Sequence, residues 1–535
     1  MSGGKTHTRE KVGLSTMAGQ TTSRTERAAK GALVSFLQYG VQMVLQAFLA
    51  PLVLRMAGQE TLGAYAFLMQ VVGYLAMLDL GISVSLNVFM AKAFGHDDGG
   101  DRLRAILSTA RTYLCVSNGV IALMLIALSA TVENFFTFSP RIDLPVRQSL
   151  VLLAVWQMAK APWSVYGVGL NATQNLAAVN FIGIIGNVAR LIFSLGLVVS
   201  GLGLVGMMLG NVIAEALSCF LATVRFRRLY PAYRPVWGIP DKALFREMLV
   251  FGLQSSLINA AWRLVYLSDN IVVGYLYGAA AVSVYYSTQM PTTIAFNIVN
   301  RVHDSASPAL NELQARREDD KVRNAFLRLH RLNFLLALPL AAGVCLLNGS
   351  LITLWVGKGQ YGGDLMTLAL AAFIVLTTVN HLTFIYFIAS GRILYFGLVG
   401  LLEGMINLGL SIWLGKVIGL AGVMLASVIA NIPATASVLY MSMRGLKIGV
   451  PEYLRSCIIR VLPPTVIGYA AGHLTGKLFS DNGWMRFIAQ GGVLLAVYAA
   501  STYLLALTNE ERTWVGSRLN RLARFSGAVN AGGPG

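Results

Sequence analysis

Ionisable side chains interrupt long apolar runs at Asp79, Arg111, Lys160, Arg190, Glu215, Arg263, Asp269, His381 and Glu403. A charge in hydrocarbon is costly and ordinarily faces a helix-bundle interior or a watery cavity. The cations Arg111, Lys160, Arg190 and Arg263 suit an anionic cargo, because a guanidinium offers a two-pronged fork to phosphate or carboxylate. The alternative is that they pair among themselves, for example Lys160 with Glu215, and only hold helices together. Asp79 lies in "YLAMLDLGIS", two residues before Gly81. Its carboxylate either satisfies amides freed by a kink or couples movement to H⁺ or Na⁺. Glu403, between Gly400 and Gly404, sits on a small-xxx-small contact face, open to a packing or a cavity role. His381 is a hydrogen-bonded bundle residue or a group that titrates near neutrality.

The elements that carry these groups are membrane spans. Of 535 residues, 56% are hydrophobic and only 12% charged, whereas soluble domains carry about a quarter charged. Apolar stretches of about 20 residues, long enough to cross a bilayer, recur almost throughout. They predict an all-α polytopic membrane protein of about fourteen transmembrane helices, at 32–55, 62–91, 105–130, 148–170, 175–200, 203–224, 244–267, 271–300, 326–347, 365–390, 393–415, 419–441, 456–476 and 486–507. Continuous apolar runs exclude an alternating β-barrel pattern. At a rise of roughly 1.5 Å per residue, Lys160, Glu215, His381 and Glu403 fall near the bilayer centre. Asp79 and Arg190 lie further out, Arg263 and Asp269 near the periplasmic end, and Arg111 near the cytoplasmic end, where it can snorkel.

The net charge of +18 is a topology signal and not the mark of a nucleic-acid binder. With the N-terminus inside, 30 of the 42 Lys and Arg fall in inside segments, including 225–246 and 301–331, and seven outside. The positive-inside rule then places both termini in the cytoplasm, with anionic lipids as a secondary partner. Cys115, Cys219, Cys345 and Cys457 lack metal or disulfide spacing, so no metal site is expected. Pro51, Pro162 and Pro291 fall inside spans and loosen them.

The chain repeats itself. "GLVGMMLGNVIAE" at 203–215 and "GLAGVMLASVIAN" at 419–431 share eight of thirteen positions at an offset of 216. "NATQN" at 171–175 and "IASGR" at 388–392 both separate two spans. Six helices per copy is an even number, so the two copies share one orientation, as in transporters with a site between parallel halves. The expected organisation is a disordered basic tail at 1–29, an N-lobe at 30–228 and a linker at 229–243 with Pro235 and Pro240. A C-lobe follows at 244–444, then two additional helices at 445–508 and a tail at 509–535.

The segments "LRMAGQETLGAY", "YLAMLDLGISVSLNVFMAKAF", "SDNIVVGYLYGAAAVSVYYS" and "IASGRILYFGLVGLLEGMINLGLSIWL" resemble the bacterial polysaccharide transporters. These belong to the multidrug/oligosaccharidyl-lipid/polysaccharide exporter superfamily. The resemblance covers roughly 30–445 and rests on pattern, since the family has no short catalytic signature. It implies two six-helix bundles around a cavity. It also implies a flippase that moves an undecaprenyl-diphosphate-linked oligosaccharide between leaflets of the bacterial inner membrane for exopolysaccharide, capsule or O-antigen synthesis. Polysaccharide polymerase and chain-length machinery would be its partners. On that expectation Lys160, Arg190, Arg263 and Arg111 would meet the diphosphate or uronic acids, with Asp79, Glu215, Glu403, His381 and Asp269 as coupling or cavity groups. Trp163, Tyr166, Trp262, Tyr285, Tyr286 and Tyr386 are candidates to stack on sugars.

Rival expectations are a multidrug exporter, disfavoured by a basic cavity, and a peptidoglycan-precursor flippase. A membrane polymerase or ligase would need a larger external loop than 131–147. No G-x-x-x-x-G-K-[ST] loop occurs, so ATP hydrolysis is not expected. The reading is a transporter with no catalytic residues and no cofactor beyond a coupling ion.

Overall fold

Apolar runs without access to water must satisfy every backbone group internally, and the chain does so with helices. The structure is a computed structural model. It describes residues 34–94, 101–231, 241–507 and 511–513, apart from 36, 46, 137, 174, 481 and 482. The expected tail at 1–29, the expected tail at 509–535 apart from 511–513, and linker residues 232–240 lie outside the described residues.

The helices are α1 (Leu37–Ala57), α2 (Gln59–Leu75), α3 (Ile82–Phe94), α4 (Asp101–Phe135), α5 (Pro140–Ala172), α6 (Leu176–Leu197) and α7 (Gly203–Leu229). They continue as α8 (Lys242–Ala315), α9 (Asp319–Trp355), α10 (Asp364–Ala389), α11 (Ile393–Ile418) and α12 (Leu420–Gly445). The short α13 (Val450–Tyr453), α14 (Leu462–Gly476) and α15 (Trp484–Ser501) complete the set. Among the described residues, eleven helical stretches are long and apolar enough to cross a membrane. Two of these, at 177–229 and 259–315, are double length at 53 and 57 residues. Each is broken at a glycine with positive φ, Gly201 (φ 90°) and Gly278 (φ 78°). Dividing them there gives thirteen, and the 33-residue α5 makes fourteen, the number expected, although the break expected between 267 and 271 falls instead at Gly278. Their outer faces are apolar and exposed, as at Leu123, Leu368 and Leu474, which suits lipid.

One expectation is corrected. Segment 301–331, expected as a cytoplasmic loop, is helical but for a few residues, because α8 runs to Ala315 and α9 starts at Asp319. Hydropathy falls where a helix leaves the hydrocarbon, whereas its backbone bonding continues into the headgroups.

The chain forms two compact units, Met1–Tyr286 and Ser287–Gly535. The division falls inside α8, and residues 242–286 of that helix belong with the first unit. Close approaches hold them there. A Cβ on Gly63 would lie 1.7 Å from the Ala279 carbonyl oxygen, and one on Gly81 2.2 Å from that of Gly252. Ser85 Oγ donates to the Met248 carbonyl at 2.7 Å. The first core gathers Leu86, Ile106, Val165 and Phe226, and the second Phe326, Ile385, Phe387 and Val461.

The sequence repeat reappears as packing. In the first unit α4 packs on α5, α5 on α7, and α6 on α7; in the second α9 packs on α10, α10 on α12, and α11 on α12. Matching bonds recur. Ser194 Oγ donates to the Met207 carbonyl at 3.2 Å, and Ser411 Oγ to the Val423 carbonyl at 3.5 Å. α14 and α15 pack on each other and on α9.

Candidate functional site

Asp79 stands at the break between α2 and α3. α2 ends in a 3₁₀ turn, Ala76–Asp79, and Leu80 (φ 47°) and Gly81 (φ 72°) take left-handed conformations before α3 begins. The break frees backbone groups, and side chains answer them. Asp79 Oδ2 accepts the Ser83 amide at 3.2 Å, the action of an N-cap. Ser117 Oγ donates to the Leu78 carbonyl at 3.0 Å. Asp79 Oδ1 is buried with no hydrogen-bond partner among the described residues. Arg263 of α8 donates to the Gly73 carbonyl and is an electrostatic neighbour of Asp79.

Two further cations of the first unit sit in contrasting surroundings. Lys160 Nζ meets Glu215 Oε1 at 2.7 Å, and Trp156 Nε1 donates to Glu215 Oε2 at 2.6 Å. That carboxylate offsets the lysine's charge. Arg190, on α6, lines a cavity of about 70 Å³ with Gln42, Tyr65, Asn187 and Tyr286. The described lining residues include no carboxylate, and Arg190 Nε is buried without a hydrogen-bond partner among them. The site can therefore receive an anion, with amide and phenol groups beside the guanidinium.

Arg111 does not snorkel into the open: it is 6% exposed, and its electrostatic neighbours are Tyr166, Cys115 and Arg227. Arg227, which sequence reasoning did not single out, donates to Tyr166 Oη from Nη2 at 2.9 Å and lies over the Trp163 ring at 5.3 Å.

In the second unit Glu403 is buried and accepts Asn431 Nδ2 at 2.5 Å. Thr435 donates to Asn431 Oδ1 at 2.9 Å, and Asn380 donates to Thr435 Oγ1 at 3.3 Å. His381 Nε2 lies 2.9 Å from Asp304 Oδ1, and its ring stacks on His303 at 6.2 Å. Asp304 and His303 lie in the stretch expected as a loop, which hid them from a search of the spans.

The aromatic candidates divide by burial. Tyr285 is fully buried and donates to Asp269 Oδ2 at 2.7 Å, so neither ring face is open to a sugar. Tyr166 and Tyr386 are likewise in cores. Burial removes Tyr285 and Tyr166 from a stacking role, whereas Tyr386 also lines a cavity of about 400 Å³ with Arg323 and Arg392. Trp163 is exposed, Trp262 stacks on Tyr266 at 4.7 Å, and Tyr286 faces the Arg190 cavity. Among the described residues no group of three or more His, Cys, Asp or Glu is placed to hold a metal ion.

This architecture is shared with solved transporters. The structure titled "Lipid II flippase MurJ, inward closed conformation" superposes with TM-score 0.70, covering 89% of this chain and 98% of that one at 13% identity. An inward-facing multidrug resistance MATE family transporter of the MOP superfamily gives TM-score 0.65, covering 78% and 99% at 16% identity. These likenesses define the fold class: a multi-pass helical membrane protein. Residues 52–360 match the family described as polysaccharide biosynthesis protein, and the chain belongs to that family. It is also 24% identical over 514 residues, 93% of this chain and 98% of the relative, to "Uncharacterized membrane protein EpsK" of Bacillus subtilis. The resemblance to bacterial polysaccharide transporters is thus borne out.

Proposed function

We propose that the protein is a flippase carrying an undecaprenyl-diphosphate-linked oligosaccharide from the cytoplasmic to the periplasmic leaflet of the bacterial inner membrane. The glycan would serve exopolysaccharide, capsule or O-antigen assembly, and polymerase and chain-length proteins would receive it. The observation that carries the reading is Arg190, set within an apolar helix beside Gln42, Tyr65, Asn187 and Tyr286 with no carboxylate among the described lining residues. A cation kept in a membrane at a cost needs a counter-charge, and a diphosphate or uronic acid supplies one. Family membership supports the polysaccharide assignment.

Movement is by alternating access, with the tail left in lipid while the headgroup crosses. Asp79 is the proposed coupling group for H⁺ or Na⁺, since one carboxylate oxygen is committed to Ser83 and the other is buried and unbonded. Both termini are proposed to be cytoplasmic, a reading that the distribution of Lys and Arg supports.

The test is the lipid-linked intermediate in cells lacking the gene. Accumulation on the cytoplasmic leaflet, relieved by the wild type but not by Arg190→Gln at equal membrane abundance, is expected. Accumulation on the periplasmic leaflet, or full relief by Arg190→Gln, overturns the reading.

A further inference from the structure

The repeat makes α6 and α7 the counterparts of α11 and α12, and one difference between the pairs opens a groove. In the second unit Tyr395 of α11 reaches Ser437 of α12, Oη to Oγ 2.6 Å, and stacks on Phe387 at 5.8 Å. Offsets of 217 and 216 put Ala178 and Leu221 at these positions in the first unit. Without the ring, α6 and α7 leave a groove of about 460 Å³. Its walls are apolar, with Phe181, Ile182 and Ile185 from α6 and Val224 from α7. One end carries Arg225 and Arg228 beside Asn175, and no carboxylate is among the described lining residues. All three arginines of this turn are exposed, and Arg227 is the one that donates to Tyr166. In the second unit Met441 stands where Arg225 stands.

We infer that this groove binds an anionic glycerophospholipid, with its phosphate on Arg225 and Arg228 and an acyl chain along α6 and α7. The charges sit where the positive-inside pattern puts the headgroup layer, and two guanidiniums with no opposing carboxylate match a phosphodiester. From Asn175 to Ile185 the helix rises about 15 Å at 1.5 Å per residue, half of a hydrocarbon core of about 30 Å. That is the depth of one leaflet, which suits an acyl chain better than a longer polyprenyl chain. The site stands on α6 and α7 alone and does not depend on the flippase reading.

The test is native mass spectrometry of the purified full-length protein titrated with phosphatidylglycerol, phosphatidylcholine or undecaprenyl phosphate. Phosphatidylglycerol should be retained preferentially, and Arg225→Gln with Arg228→Gln should reduce its retention about fivefold per arginine. Ala178→Tyr with Leu221→Ser copies the closed pair of α11 and α12 while keeping both arginines, and it should lose the same lipid while melting at or above the wild-type temperature. Inorganic phosphate should not displace the lipid. Equal retention of phosphatidylcholine, stronger retention of undecaprenyl phosphate, displacement by inorganic phosphate, or unchanged phosphatidylglycerol retention in both folded double variants overturns the proposal.

Discussion

Lys160 Nζ lies 2.7 Å from Glu215 Oε1, tying α5 to α7 across the first unit, and Trp156 holds the other carboxylate oxygen. A pair held this way costs more to halve than to remove, because the survivor keeps its desolvation penalty. Lys160→Met should therefore destabilise the protein by about 1–3 kcal/mol, the partial exposure of Glu215 keeping it below the fully buried range. Lys160→Met with Glu215→Gln should recover at least half of that loss. Thermal unfolding of the two single variants and the double variant in one detergent gives the coupling energy. Additive losses would show that the pair is not an energetic unit.

Close helix contacts give a second prediction. A Cβ at Gly63 would lie 1.7 Å from the Ala279 carbonyl oxygen, and one at Gly422 2.1 Å from that of Leu414. Backbone cannot rotate away as a side chain can, so Gly63→Ala and Gly422→Ala should each cost about 1–3 kcal/mol. Gly167 lies inside α5 with nothing within 4 Å of its Cβ position. Gly167→Ala should leave stability unchanged or raise it by about 0.5–1 kcal/mol. Melting temperatures should fall for the first two and hold for the third.

These contacts also show what a single sequence reveals. Span positions and the repeat are legible because hydropathy and identity are local properties of the string. Gly206 and Gly422 fall at equivalent places in the repeat, and both units use them to bring a helix against the preceding one, at Leu197 and Leu414. Partners are another matter. That Lys160 pairs with Glu215 while Arg190 faces amides and phenols depends on helix rotation, which periodicity alone leaves undetermined when most faces are apolar. His381 was visible as a polar residue in a span, but Asp304 was not, because α8 carries it beyond the apolar run.

At Asp79 the two readings separate by substitution. Asparagine keeps an oxygen for the Ser83 amide, now bonded at 3.2 Å, whereas alanine does not. Asp79→Ala should lose about 1 kcal/mol and Asp79→Asn little. If the carboxylate also couples transport to an ion, Asp79→Asn should abolish ion-dependent export in vesicles while melting like the wild type. Unchanged ion dependence in Asp79→Asn would confine the residue to capping the break.

Glu403 makes the complementary case in the second unit. It is 4% exposed and accepts Asn431 at 2.5 Å, and Asn431 is in turn held by Thr435. Removing the donor leaves a buried acceptor unsatisfied, whereas replacing both partners with apolar groups of similar shape removes the debt altogether. Asn431→Leu should therefore destabilise by about 2–3 kcal/mol, while Glu403→Leu with Asn431→Leu should cost less than that single change. Glu403→Gln keeps an oxygen for Asn431 and should fold as the wild type. Unfolding of these three variants decides the matter: if Asn431→Leu alone is neutral, the bond to Glu403 does not hold α11 against α12, and the carboxylate is free for another role.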